Sequence, residues 1–334
     1  MKRAEEMADV KIENGVLIGD EGELFLAQGA HSIIEYATGA RSVDVETVKN
    51  FAWNVKERSA FCDRRNTPFL QIVAPEKYKV EDRCFPIQGA KSFWDYHDDF
   101  DSGVVWYGQS DLKNNRFGRS YYKTDTHWTV AGMMLATERI AKQASFSKEE
   151  LDQLEIRMKD ICKPLGDIFY GDLGRKLDPQ QGEDVDWPRL APSIRVAENG
   201  ITHDYSGTAV NDGRLVCLRN EESVSDKKLL IFGDSYLFNA LRLLALAFRD
   251  VLFCRTRFFH RELVVMNSPD IVVSQAAERY TRVVSQDSKA PPFLLLPFVL
   301  GRKLEMSADD AVFISSFLRN RREPDYSEYN LKKS

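Results

Sequence analysis

The sequence predicts an α/β protein built around a mostly parallel sheet, and three observations carry that expectation. PFLQIVAPEK at 68–77 and LLIFGDS at 229–235 are nearly continuous apolar runs of strand length, the composition of strands buried on both faces. Between such runs lie longer segments with helical periodicity, clearest at 44–65 and 129–143. LLIFGDS passes directly into a helix pattern, and this alternation of strand and helix is what layered α/β folds require. At 334 residues the chain is long enough for one large core or two small ones.

Taken in order, NGVLIGDEGELFL reads as a hairpin with Gly22 in its turn, followed by a loop. Residues 44–65 form a helix whose inner face is expected to be Val45, Val48, Phe51, Ala52, Val55 and Ser59. PFLQIVAPEK is a central parallel strand ended by Pro75, and GVVWYG at 103–108 is another strand. A helix from Thr129 to Gln143 buries Val130, Met133, Met134, Thr137 and Ala141, which makes the two methionines core residues. Residues 148–162 are helical, and 163–227, rich in Gly, Asp and Pro, carry loops and short strands around the sheet. LLIFGDS is the clearest strand, with VLFC at 251–254 and IVVS at 271–274 as two more. The organisation expected is a lead-in over 1–14, one main domain over 15–300, and a C-terminal helix with a polar tail over 301–334.

Composition narrows the function. Hydrophobic residues at 43% and charged residues at 29% are ordinary for a globular chain, and 46 basic against 51 acidic residues leave a net charge of −5, which argues against nucleic acid as a partner. Five cysteines with no Cys-x-x-Cys argue against a disulfide framework or a thiolate zinc site. The run PPFLLLPFVLG near residue 295 is too short to span a bilayer and contains prolines, so no membrane span is expected. MKRAEEMADVKIENG lacks the apolar core of a signal peptide, which places the chain in the cytoplasm as written; removal of a leader or anchor would make it periplasmic or extracytoplasmic. There is no Gly-x-Gly-x-x-Gly, Gly-Lys-Ser or His-Glu-x-x-His, so neither a cofactor nor a metal is expected.

The chemistry concentrates on three residues. Ser235 sits where a strand becomes a helix, so unpaired N–H groups of the first turn lie beside its hydroxyl. A serine needs a base, and Asp125 and His127, two positions apart in YYKTDTHWTVAG, supply a carboxylate-oriented imidazole. The common Gly-x-Ser-x-Gly elbow is absent; Gly233-Asp234-Ser235 stands in its place. Asp234 has two readings, a pin for the turn or a participant in chemistry. Asn239, one helical turn on, is either an oxyanion-hole donor or a structural residue. Trp128 and Tyr236 flank the triad, either lining a sugar site or packing as core.

These residues resemble a known family. GDS after an apolar strand is similar to the first block of the SGNH hydrolase superfamily, and the remainder resembles the SGNH-like domains of bacterial exopolysaccharide O-acetyltransferases, such as the alginate acetylation proteins. In that branch the Asp-x-His pair precedes the serine block, a circularly permuted order, and here DTHW at 125–128 precedes GDS at 233–235. GDEGELFL at 19–26, APEKYKVEDRCFP at 74–86, GDLGRKL at 171–177 and SPDIVVSQAAERY at 268–280 resemble further elements of the same branch. The resemblance implies an SGNH-like three-layer sandwich with a catalytic domain over 15–300. It implies Ser235 as nucleophile, His127 as base and Asp125 as its orienter, with the Ser235 N–H in the oxyanion hole. The expected function is serine-dependent O-acetyl transfer to a carbohydrate, with an acetyl donor either free or delivered by a partner protein. A carbohydrate acetylesterase would use the same triad, and a non-catalytic glycan-binding or assembly protein is a third reading. Glu278 and Arg279 form either an ion pair beneath the sheet ends or, through Arg279, a substrate contact.

Overall fold

The computed structural model describes residues 10–97, 103–201 and 212–319. The tail expected at 322–334 and the first nine residues of the lead-in lie outside them. Strands are β1 (Ile12–Glu13), β2 (Val16–Ile18), β3 (Leu24–Leu26), β4 (Phe69–Ala74), β5 (Val105–Tyr107), β6 (Cys162–Pro164), β7 (Asp186–Pro188), β8 (Ile194–Glu198), β9 (Leu215–Asn220), β10 (Ser225–Gly233), β11 (Phe248–Arg255) and β12 (Ile271–Ala277). The central sheet runs β5-β4-β12-β10-β11-β9-β8. Its first five strands are mutually parallel, and β9 and β8 are added antiparallel at one side.

β10 lies in the middle of this sheet, with Leu229 opposite Val251 of β11 and Ile271 of β12. Side chains alternate across a strand, and both faces of β10 are dry. Leu229 and Ile231 enter a core with the helices Val130–Gln143, Lys148–Ile161 and Leu241–Ala247. Leu230 and Phe232 enter the opposite core with Cys62, Leu263, Val264, Phe313 and Phe317, from the helices Val45–Asp63, Arg261–Asn267 and Ala308–Phe317. Helix, sheet and helix therefore form an α/β sandwich with a mixed, mostly parallel sheet. The continuous apolar run in the sequence is the direct result of this two-sided burial.

The helix boundaries follow local chemistry. Thr129 and Ser147 cap their helices through backbone N–H groups of Gly132 and Glu150, and Ser147 with Glu150 completes a capping box. Met133, Met134 and Thr137 are buried on the sheet side, as their spacing requires. The hairpin pairs β2 with β3 antiparallel across Asp20–Gly22. No helix among the described residues is long and apolar enough to cross a membrane.

The inner face of Val45–Asp63 differs from the apolar stripe expected. Val45 is exposed, whereas Asn50, Asn54 and Arg58 are buried with Phe51 and Val55. Asn50 and Asn54 donate to the carbonyls of Val284 and Ser285, and Arg58 makes a bidentate pair with Asp287 at 2.7 Å while donating to Gln71 and Ser274. The face is polar because it holds a loop backbone, and all the partners but Gln71 are more than two hundred residues away in the chain.

Truncating Ile231 to Ala in this doubly covered strand is expected to cost about 2–5 kcal/mol in a denaturant titration. A cost below about 1 kcal/mol would contradict the packing described.

Candidate active site

The C-terminal end of β10 is built to stop abruptly. Asp234 is the N-cap of the short helix Ser235–Asn239: its Oδ1 accepts from the Tyr236 N–H at 3.0 Å. Its Oδ2 accepts from the Ala277 N–H at 2.6 Å, at the end of β12. Of the two readings of Asp234, this is the pin: one carboxylate ties the helix start to the neighbouring strand. The Asp234 N–H in turn donates to Gln275 Oε1 at 3.0 Å. Ser235 is thereby fixed at the first helical position, and its N–H has no partner among the described residues.

Asp125 and His127 come from an irregular loop that contacts on several sides hold in place. Gly171 lies so near that a Cβ on it would sit 2.2 Å from the Thr124 carbonyl oxygen and 2.6 Å from the Asp125 Cβ. The loop's peptide groups are satisfied by its surroundings. Thr124 donates through N–H and hydroxyl to Glu183, at 2.7 and 2.8 Å. Thr126 does the same to Asp172, at 2.8 and 2.6 Å. The Lys77 ammonium, almost fully buried, donates to the carbonyls of Leu24 and Lys123 at 2.8 Å and reaches that of Asp125 at 3.3 Å, with Glu23 as its counter-ion at 2.7 Å.

The loop and the corner meet at the imidazole. His127 Nδ1 lies 2.6 Å from Asp125 Oδ1, and Nε2 lies 2.8 Å from Ser235 Oγ. Asp125 is oriented in turn: Oδ1 also accepts the His127 N–H at 2.7 Å, and Oδ2 accepts the Asp172 N–H at 2.8 Å. With Nδ1–H donated to the carboxylate, Nε2 is left as the acceptor toward Ser235. Burial works against both charges, but their mutual attraction and hydrogen bonding win. Asp125 is held well below the ordinary carboxylate range, and His127 is raised above its ordinary value. Asp125, His127 and Asp172 offer ligand atoms within 4.8 Å of one another. A cation there would have to displace hydrogen bonds that both carboxylates already make.

The remaining expected site residues fall in different places. Trp128 and Tyr236 are enclosed in the core, packed edge to face at 4.9 Å, and the Tyr236 hydroxyl donates to the Thr126 carbonyl at 2.6 Å. Asn239 ends the short helix half-buried, with no side-chain hydrogen bond among the described residues. Arg279 does pair with a buried glutamate, but its partner is Glu76, at 2.9 and 3.0 Å, rather than Glu278. Its other nitrogen reaches the Thr126 hydroxyl at 3.3 Å. Glu278 instead accepts from the backbone of Glu76 and Trp94 and from the Tyr107 hydroxyl, and burial together with the Glu76 charge pushes it up to about 7. Sequence reasoning on single residues did not find Glu23, Glu76, Lys77, Asp172 or Gln275. The signal was present at the level of stretches, because each lies in one of the four further segments that resembled the acetyltransferase branch.

No protein-family model matches the sequence, and no curated protein sequence matches it. Among solved structures, the chain is similar to a DHHW family protein from Eubacterium siraeum, with TM-score 0.51 and 14% identity over 89% of this chain and 99% of that one. It is similar to Bacillus cereus PatB1, with TM-score 0.53 and 14% identity over 72% and 92% of the two chains. The O-acetyltransferase domain of Pseudomonas putida AlgJ follows at TM-score 0.48 and 12% identity, over 84% and 98%. What the first two share with this chain is the fold, an α/β sandwich around a mixed, mostly parallel sheet.

Gly171→Ala is expected to push the Thr124–Asp125 backbone away and to destabilise the protein by roughly 1–3 kcal/mol in thermal or denaturant unfolding. A neutral effect would mean that the loop is not clamped by this contact.

Proposed function

We propose that the protein is a serine-dependent O-acetyltransferase that acts on a carbohydrate through an acetyl-enzyme at Ser235. The observation that carries this reading is the unbroken hydrogen-bond chain from Asp125 through His127 to Ser235 at a strand-to-helix corner. The α/β sandwich and the motif stretches that surround the chain support it. In this reading the Asp-x-His block precedes the serine block, the permuted order of the acetyltransferase branch.

Ser235 Oγ attacks the acetyl carbonyl of the donor while its proton passes to His127 Nε2. Asp125 stabilises the imidazolium that forms. The Ser235 N–H, first in the helix, lies beside the developing oxyanion. The donor's leaving oxygen takes the proton from His127 as the old ester bond breaks, which leaves acetyl on Oγ. A sugar hydroxyl then gives its proton to Nε2 and attacks the acetyl carbon, and Ser235 recovers its proton as the new ester departs. Trp128 and Tyr236, enclosed as they are, serve as supports for His127 and not as sugar contacts. An acetylesterase differs only in that water takes the place of the sugar hydroxyl. The intact geometry of the three residues weighs against a non-catalytic glycan-binding or assembly protein.

The test is an acetyl-ester reporter assayed with and without candidate sugar acceptors. The wild type should form an acetyl-serine detectable at Ser235 by mass spectrometry and pass it to a sugar, and Ser235→Ala should lose activity by at least about 10³-fold. Acetyl release at the same rate into water with every acceptor would make the protein an esterase. Absence of any Ser235-dependent turnover would remove the catalytic reading altogether.

The pH profile offers a separate check. The base must be neutral to act, and Asp125 raises His127 above its ordinary value of 6.5. The kcat/KM for the reporter should therefore climb with pH through a midpoint above 6.5. Asp125→Asn removes the charge that holds the proton, so its midpoint should move to lower pH and its plateau fall by roughly 10³–10⁴. A midpoint that stays where it was would show that another group controls the limb.

A further inference from the structure

The run PPFLLLPFVL at 291–300 is apolar throughout, yet the core takes only part of it. Phe293, Leu296 and Pro297 are buried, the first two in the core that holds Leu263 and Val264. Leu294, Leu295, Phe298, Val299 and Leu300 are exposed, Phe298 and Val299 at 64% each. The inward residues already anchor the segment, so folding does not call for apolar residues on its outer face. Contiguous exposed apolar residues mark an interaction surface. Trp53, itself more than half exposed, shares a cleft with Pro291 and Pro292 at the start of the run and adds an indole to this surface. The surface lies at the edge of the sheet that carries Ser235. A Cβ on Gly213 would meet Pro297 and Leu296 at 3.1 and 3.2 Å, the Gly213 N–H donates to the Arg255 carbonyl at 2.9 Å, and Arg255 is in register with Gly233.

The charges around this surface say what covers it. Lys289, Arg302 and Lys303 are the only charged residues between Asp287 and Glu305, in a chain whose net charge is −5. Lys289 and Lys303 are exposed. Of the acids nearby, Asp287 is committed to Arg58, and Glu262 accepts the Phe293 N–H at 3.0 Å and lies against His260. An apolar tip flanked by cations is complementary to a bilayer with anionic headgroups, which takes the apolar side chains below its surface and the cations at it. An isologous pairing with a second copy would bring the same cations of both copies into one interface. The chain's own stretches outside the described residues, 1–9, 98–102, 202–211 and 320–334, contain no three consecutive apolar residues, so none supplies an apolar strip to lay over the run.

We propose that this surface docks the protein on an anionic lipid bilayer. Leu294, Leu295, Phe298, Val299 and Leu300 enter the boundary between headgroups and acyl chains, Trp53 lies at headgroup level, and Lys289 and Lys303 meet lipid phosphates. The association is peripheral, since the run is too short to span. It stands independently of the chemistry at Ser235, and it brings the edge of the sheet that carries Ser235 to a membrane surface.

Binding is read by co-sedimentation of the full chain with two kinds of vesicle, pure phosphatidylcholine and phosphatidylcholine containing about one-third phosphatidylglycerol, each at low and high sodium chloride. A lysine near an anionic surface is worth about fivefold in affinity. The mixed vesicles should therefore bind at least about tenfold more tightly than the neutral ones, and the preference should shrink with salt. Combining Phe298→Ser and Val299→Ser should weaken binding to both vesicles by at least about tenfold, since it removes the inserted side chains. Combining Lys289→Glu and Lys303→Glu should erase the preference and leave the residual binding to neutral vesicles. Thermal unfolding checks that each variant folds. Should the serine pair fail to fold, Val299→Trp decides the matter: the added indole should shift its emission to the blue when mixed vesicles are added, and an unshifted emission would count against insertion. Equal affinity for the two vesicles, or binding that the serine pair leaves unchanged, would overturn the proposal. Absence of binding to either vesicle would overturn it in favour of a protein partner. A free protein that sediments as a dimer, and that the serine pair turns into a monomer, would overturn it in favour of a second copy.

Discussion

Everything at the candidate site depends on a buried ammonium. The loop that carries Asp125 and His127 has no regular hydrogen-bond ladder of its own, so its carbonyl groups must be met from outside. Lys77 meets those of Lys123 and Asp125 together with that of Leu24, and Glu23 at 2.7 Å opposes the burial that draws the lysine below its ordinary value. Removing either partner of such a pair leaves an uncompensated charge in the interior, worth about 3–5 kcal/mol. The small sheet β1–β3, which carries Glu23 and Leu24, is thus part of the site although it contributes no reacting group.

The same logic repeats on the other side of the loop. Glu76, next to Lys77, fastens Arg279, and Arg279 reaches Thr126. Thr126 is gripped again by Asp172, whose N–H orients the Asp125 carboxylate. Segments from four separate parts of the chain thus converge on one imidazole. Their charges are largely enclosed, so the salt that would screen a surface pair has little purchase on them.

The legible parts of the molecule were those whose cause is local. LLIFGDS announced β10 because a strand covered on both faces needs apolar residues at every position, and the spacing of Val130, Met133, Met134, Thr137 and Ala141 announced the helix Val130–Gln143. Asp125, His127 and Ser235 were legible as residue types set in suggestive short contexts. The inner face of Val45–Asp63 was not legible, because Arg58 is buried only by virtue of Asp287, Gln71 and Ser274, none of which its own neighbourhood reveals. Lys77, Glu76 and Asp172 escaped single-residue reading for the same reason: each acts on backbone or charge brought near by the fold, and a lone lysine or aspartate in a sequence looks like solvated surface. The antiparallel additions β8 and β9 lay within a stretch read only as loops and short strands, where Gly, Asp and Pro mask the pattern.

Asp234 has a consequence for which residues its position can accept. Both of its oxygens are acceptors and each is in use, one by the helix and one by the neighbouring strand. Asparagine offers one oxygen and would turn an amino group toward a second N–H. Serine offers a single oxygen, and glutamate carries its pair one methylene too far from the backbone to cap its own helix in the same way. On the proposed reading of Ser235, the middle letter of Gly-Asp-Ser is therefore constrained by shape as narrowly as the last is by reactivity. A protein that had lost its chemistry would still have reason to keep the aspartate, so the serine, and not the triplet as a whole, is the letter that separates a working copy from a silent one.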